Sequence, residues 1–171
     1  MVKYRLPIIL QCLIFFIPVN IYVIGDWLGA GVQWILLRYQ QTYLGNSIIP
    51  VTKDITYILN GTISGRSGIS LGVWAFSVLL FIIATILVVL AYLKEDFSLI
   101  KKASVLTITG GIILAISVVI QYGILLNGQS GFVIPLGIPI ILIIGWWMYQ
   151  LNYDPDESGD EQGDEESFGA E

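Results

Sequence analysis

Histidine is absent from this chain of 171 residues, and cysteine occurs once, at Cys12. Haem ligation by His, zinc sites of the Cys/His kind and Ser-His or Cys-His catalysis therefore lose their usual participants. An intramolecular disulfide is impossible, and one thiol buried in an apolar run says nothing of redox compartment. Charge is the next shortage: 12% of the residues are charged, against roughly 25% in a soluble domain. Nine of the thirteen acids lie between Asp154 and Glu171, where no Lys or Arg occurs. Without a basic face to neutralise phosphates, nucleic acid is excluded as a partner.

What the chain has in excess is apolar surface, with 56% hydrophobic residues and a mean hydropathy of +0.80. That leaves too little polar surface to cover a soluble globule and places the chain in a lipid bilayer. Four apolar runs, at 6–24, 71–93, 103–126 and 132–150, approach the roughly 20 residues that cross about 30 Å of hydrocarbon. The expected fold is an all-α integral membrane protein, with a four-transmembrane-helix bundle over residues 1–150. Short amphipathic helices belong in its first outer loop, 25–70, and a disordered acidic tail follows over 151–171. The run LGVWAFSVLLFIIATILVVLAYL carries no charge, and at about −0.3 to −0.6 kcal/mol per large apolar residue it inserts unaided. The basic start MVKYR resembles that of a signal peptide, but no small-x-small cleavage site follows, so the first run reads as a retained anchor.

Lys3 and Arg5 precede the first run, and Lys94, Lys101 and Lys102 separate the second from the third. The positive-inside rule puts both regions, and hence both termini, in the cytoplasm of a multi-pass cell-membrane protein. The outer side then receives segment 25–70, where Asn60-Gly61-Thr62 is a glycosylation sequon. Ile48, Val51, Thr52, Ile55, Ile58 and Leu59 recur on one helical face, begun by Pro50 and stopped by Asn60-Gly61. Upstream, Leu28, Val32, Ile35, Leu36 and Tyr39 line a second short helix, with Trp27 and Trp34 as anchors in the headgroup layer. Trp146 and Trp147 make the inner aromatic belt.

No Asp, Glu, Lys, Arg or His lies inside any of the four runs. Such groups cost about 2.5–3.5 kcal/mol at that depth and are kept for proton relays and ion sites, so a pump, a proton-coupled transporter or a membrane hydrolase is disfavoured. The remaining polar residues, Gln11, Asn20 and Gln121 among them, read as hydrogen bonders between helices. Thr107, Gly111 and Ala115 form a small-residue stripe for close helix packing, within the chain or between copies. Pro135 and Pro139 are expected to bend the fourth span, since Pro139 removes an amide donor.

The tail opens with DPDESGDEQGDE, whose spacing matches an EF-hand loop with Asp154, Asp156, Ser158, Asp160 and Glu165 as calcium ligands. Glu161 at the apolar eighth position, Pro155, a second Gly163 and the lack of a following amphipathic helix favour a solvated tail instead. The tail resembles those on proteins of salt-loving archaea, whereas the abundant Ile and the retained Lys do not. The layout of spans and loops is similar to that of claudin-like tetraspan proteins. The tryptophan motif and cysteine pair of their first outer loop are missing, so no residue roles carry over.

With no catalytic set, cofactor or metal cluster legible, the expected role is a non-catalytic scaffold or accessory subunit of a membrane complex, in contact with lipid and with other membrane subunits. The alternative is an oligomeric transporter or channel-type protein, self-associated along the Gly111 stripe.

Overall fold

Apolar residues dominate the chain from Leu6 to Ile24, yet the helix stops half-way. The computed structural model describes residues 2–25, 28–128 and 131–151. Helix α1 (Val2–Ile14) ends in a turn where the Phe15 and Phe16 amides donate to the Cys12 and Leu13 carbonyls. Pro18 has no amide hydrogen with which to resume the ladder, and the chain continues extended as β1 (Asn20–Ile24).

Strands β2 (Gly29–Gln33), β3 (Leu37–Thr42) and β4 (Gly45–Pro50) then run back and forth, and α2 (Val51–Leu59) follows. The long helices α3 (Gly65–Lys94) and α4 (Phe97–Tyr122) come next, then β5 (Asn127–Gly128), β6 (Gly131–Ile134) and α5 (Gly137–Gln150). Because β6 pairs with β1, two distant segments build one six-stranded antiparallel sheet, in the order β4-β3-β2-β1-β6-β5.

The sheet overturns the all-α expectation. Runs 6–24 and 132–150 are each part helix and part strand, because a hydropathy sum registers apolar content and not its period. The short helix expected around Leu28 to Tyr39 is the β2–β3 hairpin, in which Gly29 and Gly31 admit close neighbours, the Gln41 carbonyl and the Tyr22 ring, that a Cβ would meet. Nor does the fourth span bend at proline. Pro135 precedes the helix, and Pro139 sits in the first turn of α5, where an amide has no intrahelical acceptor to lose.

Among the described residues two helices, α3 and α4, are long and apolar enough to cross a membrane. At 1.5 Å per residue the 13 residues of α1 and 14 of α5 reach only about 20 Å, short of the roughly 30 Å of hydrocarbon. The four-span bundle, and the multi-pass description built on it, therefore lose their support. The most apolar windows of α3 and α4 are 33% and 44% buried, so much of their apolar surface points outward, Phe76, Ile86 and Ile112 included.

The hairpin turns tightly. Glu95 takes a left-handed conformation (φ 53°), and the Asp96 side chain caps α4 by accepting from the Ser98 amide at 2.9 Å. Glycine sets the closest approaches: a Cβ on Gly110 would meet the Phe81 ring at 3.0 Å, and one on Gly145 would meet Ile108 at 2.8 Å. Trp74, Phe81, Leu114, Ile141 and Met148 fill the space between the helices and join Ile14, Val19 and Val133 beneath the sheet in one core.

Candidate functional site

Alternation along β1 sends Asn20, Tyr22 and Ile24 to one face of the sheet. Register carries that face sideways: Asn20 pairs with Gln33, and Gln33 with Arg38; Tyr22 pairs with Gly31, and Gly31 with Gln40. Two polar rungs thus look toward the start of α3 and the end of α4, across a cavity of about 390 Å³. Ile63, Leu71 and Val118 supply its apolar wall, and Ser67, Gln121 and Tyr122 its polar rim on the helical side. Below them Ser70 and Ser117 clamp α3 to α4, each hydroxyl donating to the other residue's carbonyl, at 2.8 and 2.9 Å.

The charge on this face is neutralised by α2. Asp54 is 1% exposed and accepts two bonds from the Arg38 guanidinium, from Nη2 at 2.7 Å and from Nε at 3.0 Å. A third nitrogen, Nη1, donates to Gln40 Oε1 at 3.0 Å. Burial works against the Arg38 charge, but the hydrogen bonds and charge of Asp54 outweigh it and hold the guanidinium's pKa above its ordinary value. This fork-to-fork pairing ties α2 to the sheet through its acid, while of the apolar stripe expected for it Val51 packs against the core. Of that stripe Ile55 and Leu59 are exposed, at 40% and 80%.

Two side chains on the face are held in place and left incomplete. The Asn20 amide donates to Gln33 Oε1 at 3.1 Å, and its own Oδ1 has no hydrogen-bond partner among the described residues. Tyr22 lies across Gly31, where a Cβ would come within 2.4 Å of the phenol ring; its hydroxyl lies beside the Arg38 guanidinium but makes no hydrogen bond of standard geometry among the described residues. Asn20 and Tyr22 are 3% and 5% exposed. Burial pushes the Tyr22 pKa up from its ordinary value, against the opposing pull of the Arg38 charge.

The residues singled out from sequence scatter. Gln121 is on the cavity rim and donates to Ser67 Oγ at 3.1 Å. Thr107 is buried among the helices, donating to Gln11 Oε1 at 2.9 Å, and Gln11 reaches on to Thr85 at 3.5 Å. Gly111 faces Leu142 and Ile141 of α5 in its own chain, and Ala115 is half-buried. Trp34 is half-buried in the β2–β3 turn, its amide donating to the Leu37 carbonyl, while Trp146 and Trp147 are exposed on α5. Asn60 caps the C-terminus of α2 and is exposed. Cys12, expected to be buried, is exposed on α1. Trp27 and the calcium set Asp154, Asp156, Ser158, Asp160 and Glu165 lie outside the described residues.

Arg38, Asp54 and Tyr22 are what the sequence reading passed over. For Tyr22 and Arg38 the signal is the period of two in NIYVI and LRYQQT, masked by the apolar content around them; Asp54, on α2, has no such signal. Among the described residues no group of three or more Cys, Asp or Glu comes together to hold a metal. No protein-family model and no curated protein matches the chain.

Proposed function

We propose that this protein is a non-catalytic accessory subunit or scaffold of a membrane complex. In this reading the α3–α4 hairpin is its anchor and the sheet its recognition head. One observation carries the reading: the sheet stands at the open end of an apolar hairpin and ends in an unshared edge. Among the described residues strand β4 pairs with β3 alone, and Gly45, Asn46, Ser47 and Ile48 are exposed beside the bare Tyr43-Leu44 tip. An open edge with free amides and carbonyls accepts a strand from a partner, with pockets for alternate side chains giving selectivity.

Orientation follows from charge. Lys94, Lys101 and Lys102 crowd the hairpin turn, which the positive-inside rule assigns to the cytoplasm of the cell. Helix α1 leads into the sheet and α5 leads away from it, so both chain ends point to the cytoplasmic side and the sheet to the opposite one.

Purification in a mild detergent is expected to retain one stoichiometric membrane partner, and Ile48→Lys or Leu44→Lys to release it while leaving the protein folded. A lone monomer, or a partner indifferent to both substitutions, overturns the reading. Labelling of Lys101 and Lys102 by an impermeant reagent applied from outside the cell reverses the orientation.

A further inference from the structure

We infer that the cavity between the sheet and the α3–α4 ends is a binding site for a neutral, polyhydroxylated group, a glycosyl or glyceryl moiety carried by a lipid or free in solution. Size is the first argument. About 390 Å³ is far more than a single structural water occupies, at roughly 30 Å³.

Unsatisfied chemistry is the second. Buried polar atoms are nearly always hydrogen-bonded, and here, among the described residues, Asn20 Oδ1 has no partner and Tyr22 Oη, which lies beside the Arg38 guanidinium, makes no hydrogen bond of standard geometry, although each side chain is at least nine-tenths buried. Both line the same cavity. Gln33 holds the Asn20 amide from the other end, so its free oxygen is a fixed acceptor and calls for a donor.

Charge is the third. Asp54 and Arg38 neutralise each other on this face, so an anion gains no free counter-charge from the guanidinium and a cation none from the carboxylate. The polar groups that remain are amides and hydroxyls, which match a ligand hydroxyl acting as donor and acceptor at once. Tyr22 and Tyr122 add aromatic surface, and Leu71 and Val118 apolar surface, for the carbon faces of a ring. A pocket of mixed apolar wall and few convergent polar groups is the usual form of a small-ligand site.

The free-ligand form of this inference stands without the anchor reading above; the lipid-borne form rests on the hairpin crossing a bilayer. Full-length protein in phosphatidylcholine nanodiscs is titrated with methyl glucoside and with glycerol. A parallel series incorporates increasing mole fractions of glucosyl diacylglycerol. Saturable binding by calorimetry, or a saturating rise in melting temperature, is expected in one series, and the series that responds names the source.

Asn20→Leu should weaken binding at least tenfold, and Tyr22→Phe, which keeps the ring over Gly31, about threefold to tenfold. Should Asn20→Leu fail to fold, Tyr22→Phe decides alone. No saturation in any series, or binding that Tyr22→Phe leaves unchanged, overturns the inference. Partner capture is a separate readout, so the accessory-subunit reading can fail while this one stands, and the reverse.

Discussion

Within α3 and α4, Ser77, Thr85, Ser104 and Thr109 return their hydroxyls to carbonyls three or four residues back on the same helix. In the sheet Asn20 reaches across to Gln33, and Arg38 to Asp54, 16 residues further on. A helix settles its polar groups locally, so its side chains can be almost entirely apolar and face lipid. A strand sends side chains off both faces, and a polar one over a helix end depends on what distant segments deliver. Dependence on distant partners makes the sheet–helix boundary both the most fragile part of the molecule and the part where a ligand has purchase.

The sharpest test of that contrast removes Asp54. Asp54→Ala leaves a largely buried guanidinium unpaired, and breaking such a pair from one side costs about 3–5 kcal/mol. Thermal or denaturant melting of the solubilised protein reads this directly. Thr85→Ala, which deletes a local hydroxyl bond on α3 and with it the long 3.5 Å contact from Gln11, should cost under about 1 kcal/mol. Adding Arg38→Met to Asp54→Ala is expected to restore part of the loss, because the stranded charge and not the missing bond dominates. Equal effects at residues 54 and 85 would erase the contrast.

Glycine provides the next largest difference. Gly31→Val drives a side chain into the Tyr22 ring and the Tyr39 carbonyl, and overpacking of this kind costs about 1–3 kcal/mol. Gly72, inside α3, has open space where its Cβ would be. Gly72→Ala should therefore stabilise, by up to about 1 kcal/mol, as the alanine restricts the unfolded chain and favours the helix. One glycine is required by its neighbour and the other is not, and melting temperatures shifting in opposite directions express that.

Gln11 departs from the local pattern inside the helical body, as the Ser70–Ser117 clamp does, since it links α1 to Thr107 of α4 and Thr85 of α3. Hydrogen bonds between helices in an apolar medium average about 0.6 kcal/mol and reach about 1.7, so Gln11→Leu should fall well below Asp54→Ala. A loss as large as that of the ion pair would mean that the helical region also hangs on one polar node.

These residues also mark how far the sequence could be read. Apolar length alone identifies α3 and α4, because two uninterrupted runs without charge have one cheap solution. It misleads at 6–24 and 132–150, where Pro18 and Pro135 stand at the change between helix and strand but Pro7 and Pro139 stand inside helices, and the strand halves are as apolar as the helices beside them. The helix α2 ends at Asn60 beside Gly61 (φ +70°), where the stop signal stands in the sequence. Its seat was not legible, since Asp54 finds Arg38 only once β3 has formed. The cavity was the least legible of all. Asn20, Gln33 and Arg38 become neighbours through strand register, and register is set by turns and pairing that no local pattern of these three residues encodes.

The smallest effect expected concerns Tyr22 itself. Burial raises its pKa above the roughly 10 of an exposed phenol, more than the Arg38 charge lowers it. Below pH 10 the folded and unfolded chains both keep the proton, and the contribution of this group is fully present. Above it the unfolded chain releases a proton that the folded chain retains, so stability falls as pH rises toward the folded value, by at most about 1.4 kcal/mol per pH unit. Tyr22→Phe removes that slope and should cost little at neutral pH, because the hydroxyl it deletes lies beside Arg38 without a hydrogen bond of standard geometry. The difference between the two alkaline melting curves isolates this one phenol from the other tyrosines. If the two curves stay parallel from pH 9 to 11, the Tyr22 hydroxyl is reached by water, and the polar face of the sheet is as well solvated as the outside of the molecule.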